Sequence, residues 1–232
     1  MYSFTFRNKN NGIELNSKYL NIVINKRPPL PKTQRRINYI QIAGRHGALT
    51  EDLGSYEDIE LEFECTIMDN VEHNSILVNS WLDGQGELYL SWLDGYKFKV
   101  KNVIFGGIDI DIVGEFKVKF ICEPFKYLES QIIEITQNNF TIYNEGTFES
   151  QPYVKIFGSG YISLNINDEV IKLKNIDGYV ELDSEIMECY KGTVNSNNKM
   201  TGEFPIFQVG ENNISWIGNV NKIEITPRWR CL

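Results

Sequence analysis

Apolar and polar residues alternate with period two over most of this chain, the mark of half-buried strands. In "YEDIELEFECTI" the alternation is unbroken: Asp58, Glu60, Glu62 and Glu64 fall on one parity, Ile59, Leu61, Phe63, Cys65 and Ile67 on the other. The pattern predicts strands near 2–6, 19–24, 36–43, 57–67, 87–92, 96–104 and 115–122. One stretch changes period. Val71, Asn74, Val78, Trp81 and Leu82 share a face of a helix over about 70–82, with Asp69 or Asn70 to cap its start and the glycines of "DGQG" (83–86) to stop it. "LDGYK" supplies an Asp-Gly turn for a hairpin between 87–92 and 96–104.

After "CEPFKYLES" (122–130) the strands shorten, which places a domain boundary near 130. "GYISLNINDEVIKLKNIDGYVELDS" predicts strands 161–166, 169–174 and 179–183, turning at Asn167-Asp168 and Asp177-Gly178. Further strands follow near 186–192, 205–209, 213–217 and 220–226. So many short strands in about a hundred residues predict a β-sandwich or jelly roll. The fold class is mostly all-β with one helix: a β-sandwich-like domain over 1–130 and a second sandwich over 131–232.

Composition narrows the function. The 232 residues are 42% hydrophobic and 23% charged, a globular balance. A net charge of −8 argues against general nucleic-acid binding, which needs a basic face. No run approaches the roughly 18 apolar residues of a membrane span. "MYSFTFRNKN" lacks the apolar core of a signal peptide, so synthesis in a cytoplasm without export by that route is expected.

Candidate chemistry is sparse. Cys65, Cys122, Cys189 and Cys231 are far apart with no C-x-x-C, and the first two share parity with apolar neighbours, so buried free thiols are expected. The two histidines, His46 and His73, supply no metal set, and neither a cofactor nor a metal is expected. Carboxylates on one exposed strand parity lack the unequal surroundings that acid-base catalysis needs. Asp109 and Asp111 in "GGIDIDIVG" share that weakness, so the chain is read as not an enzyme. "KRPPLPK" (26–32) reads as a stiff loop. Tyr153, Tyr161, Tyr179, Tyr190 and Trp216 would suffice for a sugar platform, although strand aromatics are more often core. The acidic stripe has partners within the chain: Lys97, Lys99 and Lys101 on one strand parity, Lys117 and Lys119 on another.

Taken in order, "GRHGALTEDLGSYEDIELEFEC", the lone helix, "GELYLSWLDGYKFKV" and "GEFKVKFICEPFKY" resemble the N-terminal domain of the siphophage distal tail protein family (Dit). "NEGTFESQPYVKIFGSG", "YVELDSE", "GEFPIFQVGENNISW" and "ITPRWRCL" continue the resemblance to the end of the chain. His46 departs from it, standing where the family's loop often has an acidic residue. The resemblance implies a structural virion protein. Family members form a hexameric ring at the distal end of a non-contractile phage tail, joining the tail tube protein above to the tail-tip or baseplate protein below. Their C-terminal galectin-like sandwiches project outward and in some members hold receptor-binding proteins. The second domain here has no room for an inserted module, which implies the plain hub form, assembled in the cytoplasm of a low-GC Gram-positive host. The alternative is a carbohydrate-binding host-adhesion module.

A cyclic ring needs two different surfaces in contact. Residues 1–45 hold nine bases against one acid, and residues 46–96 hold twelve acids and no base. Opposite charges on separate surfaces favour head-to-tail register. The expected contact is between the basic segment 27–45, with Arg35, Arg36 and Arg45, and the acidic loop 50–57 of the neighbouring subunit, with Glu51, Asp52 and Glu57.

Overall fold

The computed structural model describes residues 2–232. The chain divides into two compact units, one running to Lys126 and taking in Leu232, the other Tyr127–Cys231.

The first unit carries β1 (Phe4–Asn8), β2 (Glu14–Asn16), β3 (Ile22–Ile24), β4 (Arg35–Ile40), β5 (Leu49–Tyr56), β6 (Ile59–Ile67), α1 (Val71–Trp81), β7 (Gly86–Leu90), β8 (Tyr96–Ile110) and β9 (Gly114–Leu128). Seven of them form one sheet in the order β2-β1-β7-β8-β9-β6-β3. The inner parity of β6 (Ile59, Leu61, Phe63, Cys65 and Ile67) is buried, with Phe4, Phe6, Phe98 and Phe120 in the same core. Trp81 closes that core from α1: its ring stacks on Phe4 at 5.5 Å and its Nε1 donates to the Phe6 carbonyl at 2.8 Å. The outer parity and Asp58 beside it meet lysines of β8 and β9. Lys117 reaches Glu64 at 2.5 Å, Lys119 reaches Glu60 at 2.9 Å, and Lys101 reaches Asp58 at 2.7 Å. The Lys117 ammonium, donating to Glu64, holds that carboxyl below its ordinary range.

Three local expectations need correction. The strand expected over 19–24 starts as a 3-10 turn, Ser17–Leu20, because Asn16 caps it by accepting from the Lys18 N–H and Asn21 turns left-handed at φ 52°. Neither expected residue caps α1 by its side chain: Asn70 holds the N-cap position at φ 48° with no side-chain bond, and the Asp69 carboxylate accepts from the Asn70 N–H, outside the helix. Strand β8 runs past 104 to Ile110 through mostly exposed residues, where alternation has no core to answer to, and β9 runs past 122 to Leu128 with Phe125 and Tyr127 buried.

The second unit holds β10 (Ile133–Ile135), β11 (Phe140–Asn144), β12 (Tyr153–Ile166), β13 (Glu169–Asp183), β14 (Glu188–Lys191), β15 (Val194–Asn195), β16 (Met200–Thr201), β17 (Gly210–Thr226) and β18 (Arg230–Cys231). Its sheet runs β10-β17-β12-β13-β14-β15, with β11 also on β17 and β16 also on β13. The expected turn at Asp177-Gly178 is instead the interior of β13, and the strands expected at 213–217 and 220–226 are one strand, β17. Bulges explain both. Register shifts fall at Phe157/Gly158 and Ser159/Ile162 along β12, so the long strands bend without ending. Both halves of β12, β13 and β17 feed one core, from Ile156, Val180 and Ile223 on one side of the bend to Leu164, Leu173 and Ile214 on the other. Glycine is needed where the strands close up. A Cβ on Gly158 would lie 2.3 Å from the Asn219 carbonyl oxygen, and one on Gly218 (φ +117°) 2.3 Å from that of Tyr161. Near 205–209 the chain makes only an isolated bridge, Ser150 with Phe207.

Two buried carboxylates organise the edge of this unit. Asp183 receives Arg228 in a fork, Nη1 to Oδ1 at 2.6 Å and Nη2 to Oδ2 at 3.0 Å. Burial alone would raise its pKa, but the Arg228 guanidinium together with the Glu185 and Ile186 N–H groups outweighs burial, and the carboxyl lies below its ordinary range. Glu181 accepts from the Tyr153 hydroxyl at 2.6 Å and the Gly192 N–H at 2.7 Å. Burial, reinforced by Glu181, pushes the Tyr153 hydroxyl pKa up.

Candidate subunit interface

The six charged residues singled out in the sequence all belong to β4, β5 and their flanks, and the structure brings the two segments together within one chain. Strands β4 and β5 form a two-stranded sheet of their own, pairing Ile37 with Asp52, Asn38 with Glu51 and Tyr39 with Thr50. The "acidic loop" 50–57 is therefore mostly strand. It shows no alternation because it has almost no buried face: every residue from Leu49 to Gly54 is exposed.

Opposite charge joins the hairpin to itself. Arg35 Nη1 lies 2.7 Å from Asp52 Oδ2, and the Asn38 Nδ2–H donates to Glu51 at 3.2 Å. The Gly54 N–H, and after it Arg35, draws the Asp52 carboxyl below its ordinary range. Arg35 also sits over the Tyr56 ring at 5.1 Å, and that ring meets Phe125 edge-on at 5.9 Å. At the hairpin's base the Glu57 N–H donates to the Gln34 carbonyl at 2.9 Å, and the Thr33 hydroxyl to that of Pro124 at 2.6 Å. The base is fixed; the rest stands in solvent. Tyr39, Ile40, Ile42, Leu49 and Leu53 are exposed apolar side chains on a single short hairpin. Arg36, Arg45 and Glu57 are exposed too, and among the described residues none of the three has an ionic partner.

The apolar side chains matter here as much as the charges, and charge alone did not reveal them. Their signal in the sequence is "INYIQI" (37–42), an apolar stretch whose pairing strand 49–56 offers no buried parity of its own.

The other candidates disperse. His46 is an exposed loop residue, and among the described residues no three His, Cys, Asp or Glu side chains could share a metal ion. All four cysteines are free and buried, and burial pushes the Cys65 and Cys122 thiols up to about 12. The C-terminal aromatics named in the sequence are in unequal surroundings, with Tyr161 exposed. Lys155 covers Tyr179 at 4.3 Å, Lys222 covers Phe157 at 4.9 Å, and Trp216 is buried.

No family model and no curated protein sequence matches this chain. A solved structure does match: that of the Dit (gp 19.1) protein of phage SPP1, described as a paradigm of the hub of the adsorption apparatus in phages infecting Gram-positive hosts. The two align with a TM-score of 0.75 over 97% of this chain and 98% of the other, at 11% sequence identity. From end to end, the chain has the fold of a phage distal tail hub protein.

Proposed function

We propose that this chain is a tail hub of a phage infecting a Gram-positive bacterium, a non-enzymatic virion protein that closes into a hexameric ring between the tail tube and the tail tip. The observation that carries the reading is the end-to-end likeness of fold to the SPP1 hub, both units included and nearly nothing left over in either chain. Receptor-binding proteins attached to the ring belong to the same reading.

The β4–β5 hairpin supports a ring contact on its own terms. An isolated two-stranded hairpin is marginal in water, yet this one also exposes five large apolar side chains. Packing against a neighbouring subunit would bury them. Because Arg35 and Asp52 neutralise each other within the chain, the charges left for a neighbour are Arg36 and Arg45 on one side and Glu51 and Glu57 on the other. In this arrangement apolar packing holds the ring and the residual charges set its head-to-tail register.

Light scattering on the purified protein tests this. The expected mass is about six times the 26.9 kDa chain. Ile40→Ser with Leu53→Ser should shift it to monomer while leaving the melting temperature of the monomer nearly unchanged, since both side chains are exposed within the chain. Arg36→Glu with Arg45→Glu should weaken the ring, more so at low salt. A hexamer indifferent to both double variants would place the interface elsewhere.

A further inference from the structure

Three turns of the second unit surround a concavity of about 400 Å³: the β12–β13 turn, the turn after β13, and the segment before β17. Its floor is apolar, made by Ile166, Phe204 and Pro205, with Met187 on its wall. Its rim carries three carboxylates, Asp168, Glu169 and Glu203, and no lysine or arginine lines it. Among the described residues none of the three carboxylates has an ionic partner.

Ser184 provides the second observation. It lies on the wall of the concavity, only 2% exposed, and its Oγ has no hydrogen-bond partner although its own N–H is satisfied by the Pro152 carbonyl at 3.1 Å. A buried hydroxyl without a partner is uncommon and needs an explanation. Gln151 also lines the concavity; its side-chain oxygen accepts from Arg230 at 3.2 Å, and its NH2 group makes no hydrogen bond among the described residues.

The chemistry of the ligand follows from how these groups are spread. The three carboxylates are not gathered closely enough for a metal ion to take all three. An apolar floor beneath an acidic rim instead suits a cation carried on an aliphatic stem, which buries the stem and keeps the charged head at the edge. The volume exceeds one such side chain, and Gln151 and Ser184 offer hydrogen bonds of the kind a peptide backbone takes. We propose that this concavity is a docking site for a lysine or arginine side chain presented by a partner polypeptide. It stands whether or not the chain is a tail hub, since nothing in it depends on ring formation.

Saturation-transfer NMR on the full-length protein tests the site. The probes are Nα-acetyl-lysine methylamide and the corresponding arginine derivative, with capped citrulline and norleucine as uncharged controls, cadaverine as a cation without peptide groups, and N-acetylglucosamine as a neutral sugar. The capped cations should bind in the millimolar range and be displaced at about 0.5 M salt. Asp168→Asn with Glu203→Gln, both exposed in the free chain, should weaken them at least about tenfold. Ser184→Ala should weaken them severalfold without lowering the melting temperature. Equal binding of citrulline or of the sugar, or a double variant that binds as tightly as the parent, would overturn the proposal. Cadaverine binding as tightly as capped lysine would make this a polyamine site and overturn the polypeptide assignment.

Discussion

Single residues decide how the second unit holds its edge, and Asp183 with Arg228 is the clearest case. The fork between them is nearly buried on the carboxylate side, where a charged hydrogen bond is strong and an orphaned partner costly. Removing the acceptor with Asp183→Asn should cost about 2–3 kcal/mol at neutral pH. The pH dependence has a definite sign. The folded-state pKa of Asp183 lies below its ordinary value, so its contribution is fully present above about pH 4 and is lost as the pH falls through the lower, folded-state value. Urea titrations at pH 7 and pH 3 should therefore show a smaller gap between parent and variant at pH 3 than at pH 7. An equal gap at both would mean that the pair is not what stabilises this edge.

At the scale of elements, burial made some strands and the helix legible in the sequence, although the largely exposed β4 was expected too. The β6 stripe and α1 were readable because one face of each enters a core: Phe63 and Trp81 are fully buried, and periodicity records that contact. Strand β5 was not readable, since its residues from Leu49 to Gly54 face solvent on both sides. For the same reason opposite charges in 27–45 and 50–57 suggested two surfaces of different subunits. Nothing in a charge pattern distinguishes a partner across an interface from one across a hairpin, and Arg35 found Asp52 in its own chain. Glycine misled differently. Asp177-Gly178 has the composition of a turn, but Gly178 lies opposite Gly158 inside a continuous strand pair. Bulge and turn demand the same residue. The bulge can be tested against an internal control: Gly218→Ala should cost at least about 2 kcal/mol, because the new Cβ meets the Tyr161 carbonyl oxygen and φ is left-handed. Gly160→Ala meets nothing within 4 Å and should cost about 1 kcal/mol from backbone strain alone. Thermal denaturation ranks the two, and equal losses would remove the close approach as the reason for glycine at 218.

At the scale of the whole molecule, the chain divides into two cores within β9, between Lys126 and Tyr127, and an exposed stretch follows that strand. Residues 129–132 carry no strand or helix and are all exposed, which makes them the natural site of proteolytic nicking. Limited trypsin-independent proteolysis, with a broad-specificity protease, should yield stable fragments of about 130 and about 100 residues, and a chain resisting cleavage there would argue for one indivisible core. The central claim is the ring, and end-on electron microscopy of the purified protein tests it most directly. The account predicts annular particles with sixfold symmetry that fall apart when Ile40 and Leu53 are both replaced by serine. Monomers at every concentration, or closed particles of another symmetry, would contradict it.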